Sequence, residues 1–220
     1  MKKLLLVGAI ALLGANISAQ EVRFGAKAGY SLSTLKFKDN ENAESTDPSH
    51  TFYVGGLVEY KISDKFGLQG EVLYSPLGGK VTERVEDEEE DVFLNFQSKT
   101  TLGTLVIPVS AKYFISENFS LSAGASFGVI LSAKQKTVLD LGLGVIPGFE
   151  LEGDDERDIK DQINTLNIAP FIGAEYALEN GLFFDARYNY GVSNLAKDSG
   201  DGKLTNSFLQ VGVGFKFGGN

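Results

Sequence analysis

The sequence predicts an all-β fold: an eight-stranded antiparallel up-and-down transmembrane β-barrel. Three observations carry that expectation. Segments of about ten residues, the length a tilted strand needs to cross hydrocarbon, alternate apolar residues with polar residues or glycine. The connections between them alternate long and short. One face of the alternating segments carries no charge, whereas the other carries both signs.

Residues 1–19 open with Lys2 and Lys3, run through the apolar Leu4 to Leu13 and end in Ile17, Ser18 and Ala19. That is the pattern of a secretory signal peptide cut before Gln20, with the barrel domain expected over 20–220. The apolar run is too short to span a membrane as a helix, and no cysteine follows to take a lipid. Removing Lys2 and Lys3 takes the net charge from −9 to −11, which argues against nucleic acid as a partner. With no cysteine anywhere, backbone pairing and packing alone must hold an exported fold. The 26 glycines, 16 phenylalanines and 8 tyrosines against only 5 prolines point to closely approaching strands.

Strand one is expected from Val22 to Leu35, with Phe24, Ala26, Ala28 and Tyr30 on one face and Arg23, Gly25, Lys27 and Gly29 on the other. A polar loop, Lys36 to His50, leads to strand two, where Phe52, Val54, Val58 and Tyr60 oppose Tyr53, Gly55, Leu57 and Glu59. A short turn, Ser63 to Lys65, opens strand three from Phe66. The six consecutive acids Glu86 to Asp91 centre the next connection, with alternation on both sides that extends the hairpin beyond the membrane. Strand four is clearest from Thr104 to Phe114 and strand five from Phe119 to Leu131, joined by the turn Ser116 to Asn118.

The longest connection spans Gln135 to Asn164. Its first half, Val138 to Leu151, is apolar enough for a hairpin extension or a plug, and its second half, Asp154 to Ile163, suits a short helix. Strand six contains Pro170, which deletes a ladder bond and predicts a bulge. Glu179, Asn180 and Gly181 turn the chain into strand seven. After a polar loop, Ala196 to Thr205, strand eight runs from Phe208 to Phe217, its odd positions all apolar. Such a strand leaves an open edge, and strand one is the expected partner that closes the barrel.

Both ends and all three short turns fall on one side, the habit of outer-membrane barrels with short periplasmic turns and long extracellular loops. A soluble barrel would put its apolar face inside. Against that, the polar face holds Arg23, Lys27, Lys112, Arg187 and Lys216 with Glu59, Glu71, Glu175 and Asp185. Such near-cancelling charges suit a narrow lumen in which ions must pair. Aromatics near the short turns (Tyr60, Phe66, Tyr113, Phe119, Tyr176, Phe184, Phe215, Phe217) suit an interfacial girdle.

The runs FGAKAGYSLSTL (Phe24 to Leu35), LVIPVSAKYF (Leu105 to Phe114) and FLQVGVGFKF (Phe208 to Phe217) resemble the outer-membrane β-barrel domain of Bacteroidetes proteins labelled porin family or PorT family. The resemblance covers essentially the whole chain after residue 19. It implies the barrel and, through PorT, an association with protein secretion; it assigns no functional residue.

Candidate chemistry is sparse. His50, beside Ser49 and near Asp47, supplies the ingredients of a rim enzyme acting on lipid, but a polar loop end is the expected reading and no enzyme activity is predicted. The acids Glu86 to Asp91 and Asp154 to Asp161 lack the ligand spacing of a calcium loop; neither metal nor cofactor is expected. Eight strands enclose a space that side chains fill, so a wide channel is not expected either. The expected partners are outer-membrane lipids, lipopolysaccharide shared through divalent cations, and an extracellular or envelope protein met by the long loops of a monomer. The expected role is structural or interaction-based, the alternatives being small-solute transport, a secretion accessory or a lipid-modifying enzyme.

Overall fold

The computed structural model describes residues 22–39, 43–87, 92–143, 150–197 and 202–218. The expected signal peptide, 1–19, lies outside them, as does 88–91 of the acidic run. The strands are β1 (Val22–Lys38), β2 (Ala43–Ser45), β3 (Ser49–Lys61), β4 (Phe66–Asp87), β5 (Val92–Phe114), β6 (Phe119–Leu143), β7 (Glu150–Asp158), β8 (Leu166–Ala177), β9 (Leu182–Asn189) and β10 (Lys203–Phe217). Eight form a closed ring in the order β1, β3, β4, β5, β6, β8, β9, β10, with β10 returning to β1. Every ring ladder is antiparallel, and the closing seam runs from Phe24↔Phe217 to Lys38↔Lys203. Closure matters because lipid offers no hydrogen bonds, so an open edge there would strand its backbone groups.

The period of two sorts the side chains. Lys27, Ser31, Tyr53, Glu59, Glu71, Leu73, Phe208 and Gln210 are buried inside, while Phe24, Val54, Val72, Val109, Ile172, Val211 and Phe217 lie exposed on the outer wall, Ile172 at 69%. A continuous apolar exterior around a polar interior is the inverse of a soluble barrel. The register also sets aromatics at one level near the short turns: Phe66 faces Tyr113, and Phe119 faces Tyr176, which faces Phe184. The rings of Phe66 and Tyr113 lie 5.3 Å apart, and those of Phe24 and Phe217 6.5 Å.

Three ring strands, β4 to β6, extend beyond the ring. β4 and β5 stay paired to Asp87↔Val92, β5 and β6 to Val92↔Leu143, and β6 takes β7 as a further partner. A four-stranded sheet thus rises above the ring on the long-loop side. The hairpin extension of the Gln135 to Asn164 connection is present, but Asp154 to Asp158 form a strand rather than the expected helix, which shrinks to a single 3₁₀ turn at Lys160–Gln162. Register explains the difference. Lys134 and Lys136 on β6 lie beside Glu156 and Asp154, with Nζ to carboxylate distances of 2.7 and 3.1 Å, and such cross-strand pairs reward the extended conformation. The hydrogen bond that Lys134 Nζ donates to the Glu156 carboxylate holds the Lys134 ammonium pKa above its ordinary value.

The expected bulge at Pro170 is absent: its register with β6, Ala125↔Pro170, is continuous. The Pro170 carbonyl accepts from Tyr190 N at 2.9 Å, so its missing donor also faces β9, just beyond that strand's last residue, and costs little there. The register shift falls instead between Gly103 and Thr104 against β6, leaving Leu131 as the extra residue. Past it the phase of β6 reverses. Ile130 and Ala133 both turn inward while Leu131 turns out.

Candidate functional site

The inward face of each strand repeats one vertical plan. On β1 the order from the short-turn end is Arg23, Gly25, Lys27, Gly29, Ser31, Ser33, Leu35; on β10 it is Lys216, Gly214, Gly212, Gln210, Phe208, Asn206. Charges sit low, polar amides and hydroxyls sit higher, and aliphatic groups close the top. Glycine at the middle positions leaves room for rings from nearby strands: a Cβ on Gly212 would collide with the Tyr53 hydroxyl of β3, and one on Gly214 with the ring of Phe183, its partner on β9.

Eight of the nine residues predicted for the polar interior meet in two groups of four. In the lower group, Lys112 Nζ donates to Glu59 at 2.6 Å and to Glu175 at 2.8 Å, and Lys216 Nζ to the same carboxylates at 2.7 and 2.5 Å. In the upper group, Lys27 Nζ lies 3.1 Å from Glu71 and 2.8 Å from Asp185, while Arg187 Nη2 lies 2.5 Å from Glu71 and 3.4 Å from Asp185. Each group is two cations and two anions in alternation, neutral as a whole. Gln69 joins them, accepting from Lys112 at 3.2 Å and donating to Glu71 at 2.7 Å. The ninth residue, Arg23, is set apart. It is half-buried at the short-turn mouth, where with Glu117, Asn118, Glu179 and Lys216 it lines a cavity of about 410 Å³.

Each cation also rests on a ring: Lys27 on Tyr53 (5.4 Å), Lys112 on Phe114 (5.6 Å), Arg187 on Phe171 (5.0 Å) and Lys216 on Phe183 (4.8 Å). The Tyr53 hydroxyl further donates to Asp185 at 3.2 Å. These rings and Gln69 were missed as network members. Their signal in the sequence was an aromatic or amide at inward parity, where polar residues and glycine prevail.

Above the ions, Ser126 donates to Asn189 at 2.7 Å, Gln210 to Ser31 at 3.1 Å, and Asn206 to Ser33 at 2.8 Å. The top is closed by Leu35, Leu102, Ile130, Ala133, Ile163 and Leu195, all buried together. Ile163 comes from the long third connection and Leu195 from the segment before β10. The two connections are stitched by Asn164 N to Leu195 O (2.7 Å) and Lys197 N to Gln162 O (3.1 Å). The end of the third connection therefore forms the cap, whereas Val138 to Leu143, in the half expected as a hairpin extension or a plug, continue β6.

The rim-enzyme ingredients separate. Successive strand residues point to opposite faces: Ser49 is buried inside and His50 is exposed outside, where its Nδ1 meets the Tyr30 hydroxyl. Replacing His50 with alanine is expected to leave the lipid A and phospholipid composition of cells unchanged, as read by mass spectrometry of extracted lipids. Of the acids expected in loops, Asp154 and Glu156 pair with lysines, Asp155 with Arg157 at 2.6 Å, and Asp158 accepts from Lys160 N at 2.8 Å. Among the described residues no three acidic or histidine side chains converge as metal ligands would.

A closed antiparallel ring with an apolar wall and an ion-paired interior invites comparison with known families. The model of the outer membrane protein beta-barrel domain matches residues 18–197. The chain belongs to that family. An outer-membrane location follows from membership, and it agrees with the inside-out distribution of polar groups. No curated protein matches the sequence significantly. Among solved structures, the chain is similar to Ail, the attachment invasion locus protein of Yersinia pestis, at 16% identity and a TM-score of 0.44, covering 90% of this chain and 99% of that one. It is also similar to OprG of Pseudomonas aeruginosa (15%, 0.42, covering 92% and 99%) and CarO of Acinetobacter baumannii (14%, 0.37, covering 88% and 97%). At these identities the likeness carries nothing about binding or activity.

Proposed function

We propose that this family member is a closed-lumen barrel that serves the envelope structurally and presents its extracellular sheet to a partner. The observation that carries the reading is the filled interior. Eight charged side chains neutralise one another in two groups, and an aliphatic cap formed by two connections lies over them. A lumen occupied in this way leaves no wide path for solute, while the sheet of β4 to β7 rises where outside molecules can reach it. Lipid and lipopolysaccharide surround the wall, and the loops supply the specific contacts.

Planar bilayers containing the purified chain should show no large, stable conductance; steps of general-porin size would overturn the closed-lumen reading. In cells, replacing residues 136–156 with a short turn should abolish the interaction role while leaving the barrel folded, as judged by heat-modifiable gel mobility. A trimmed chain that behaves like the parent in envelope-integrity and adhesion assays would remove the role assigned to the sheet. The resemblance to PorT-type proteins favours an accessory role in protein secretion as the second reading, and loss of secreted proteins on deletion of the chain would select it.

A further inference from the structure

The sheet above the ring ends in an open edge. β7 pairs with β6, and among the described residues no strand lies on its other side. The Ile159 amide donates to Ala133 O at 2.9 Å, continuing the β6–β7 ladder. In an antiparallel strand the backbone groups of every second residue face the same neighbour. Arg157, Asp155 and Gly153 therefore turn their N–H and C=O groups toward β6, and Asp158, Glu156 and Asp154 turn theirs outward. The side chains of these same three edge residues share one face, the face of Lys134 and Lys136.

The charge of this edge points to its occupant. β7 contains six acids against one arginine, and Lys134 and Lys136 answer two of the acids. Two such edges repel one another, so a second copy is a poor occupant; an extended strand of opposite charge is a good one. We propose that β7 accepts a basic, extended segment of a partner polypeptide as an added strand. The segment carries lysine or arginine at alternate positions. A residue directly opposite an outward-facing β7 residue would exchange backbone hydrogen bonds with it and set its side chain on the same face. Alternate basic residues thus meet Asp154, Glu156 and Asp158, and the backbone contributes affinity while the spacing contributes selectivity.

This inference rests on the reading that the chain acts through its extracellular sheet. The test uses the full chain in lipid nanodiscs and a labelled peptide as long as β7 that alternates lysine with threonine, followed by fluorescence anisotropy. Saturable binding that weakens with salt is expected. Methylating the peptide's β7-facing backbone nitrogens should weaken it by about tenfold or more, since each lost backbone hydrogen bond is worth up to about tenfold in affinity. Glu156→Pro removes an outward-facing donor without touching the β6 ladder and should act similarly, whereas Glu156→Thr, which keeps the strand, should cause a smaller loss that salt abolishes.

Equal binding of the methylated peptide, or none by the parent peptide, would overturn the added-strand proposal. If binding is absent while the chain trimmed at 136–156 still alters cells, only the edge assignment falls. If trimming also changes nothing, the interaction role falls with it.

Discussion

Lys112→Met is expected to lower the unfolding free energy of the barrel by about 3 to 5 kcal/mol, the range found when one partner of a buried ion pair is removed. The lysine serves Glu59, Glu175 and Gln69 at once, and its side chain is 1% exposed. Without it, Lys216 alone faces two carboxylates that are at least nine-tenths buried, and the group acquires a net negative charge. Methionine fills much of the same volume, so the loss measures charge rather than a cavity. Urea unfolding in phospholipid vesicles, followed by gel mobility without boiling, reads the effect. Lys134→Met is the control. Its ion pair with Glu156 stands in water with both side chains more than half exposed, and the unfolding midpoint should scarcely move. Equal midpoints for the two variants would show that the buried groups contribute nothing to stability.

Val211→Arg is expected to cost about 2 to 4 kcal/mol if the position lies near the bilayer midplane, the penalty measured for arginine on the lipid face of a barrel. Val211 is half-way along β10, 43% exposed, on the wall between Tyr30 of β1 and Ala186 of β9. In a water-soluble barrel the same exposed site would accept arginine with almost no change. Folding into vesicles at increasing urea separates these outcomes. Since the neighbouring Gln210 is 1% exposed, the measurement also tests the face assignment one residue at a time.

Much of this arrangement was legible in the residues. The alternation in Phe208 to Phe217 assigns an inner and an outer face because strand side chains have a period of two. Both faces were visible without knowing what lay beside them. The same parity placed Lys27, Glu59, Glu71, Lys112, Glu175, Asp185, Arg187 and Lys216 inside. What parity does not give is height or azimuth, and those decide which ions meet. Lys112 and Glu175 are 63 positions apart; they touch because β5 and β8 both pair with β6, in registers that set the two side chains close in height on the inner face. Arg23 has the same parity yet stands apart from both groups, since it lies near the end of its strand.

The misreadings have a common origin. Asp154 to Ile163 suggested a helix because a run of charged residues has no period of two in hydrophobicity, yet Lys134 and Lys136 on a distant segment make it a strand. Pro170 suggested a bulge, but the missing donor points past the end of β9. Leu131 does lie on the outer wall, but the extra residue there reverses the phase of β6 against β5, and that turns Ala133 inward beside Ile130. In each case the deciding partner lies on another strand.

By its own pattern the chain determines that it forms alternating strands, which face of each is greasy, and where the long and short connections fall, because these depend only on near neighbours in sequence. The tertiary structure alone decides the pairing of the interior ions, the cap contributed by Ile163 and Leu195, and the open acidic edge of β7. Those features are set by the register with which the ring closes, and register is a relation between strands rather than a property of any one of them.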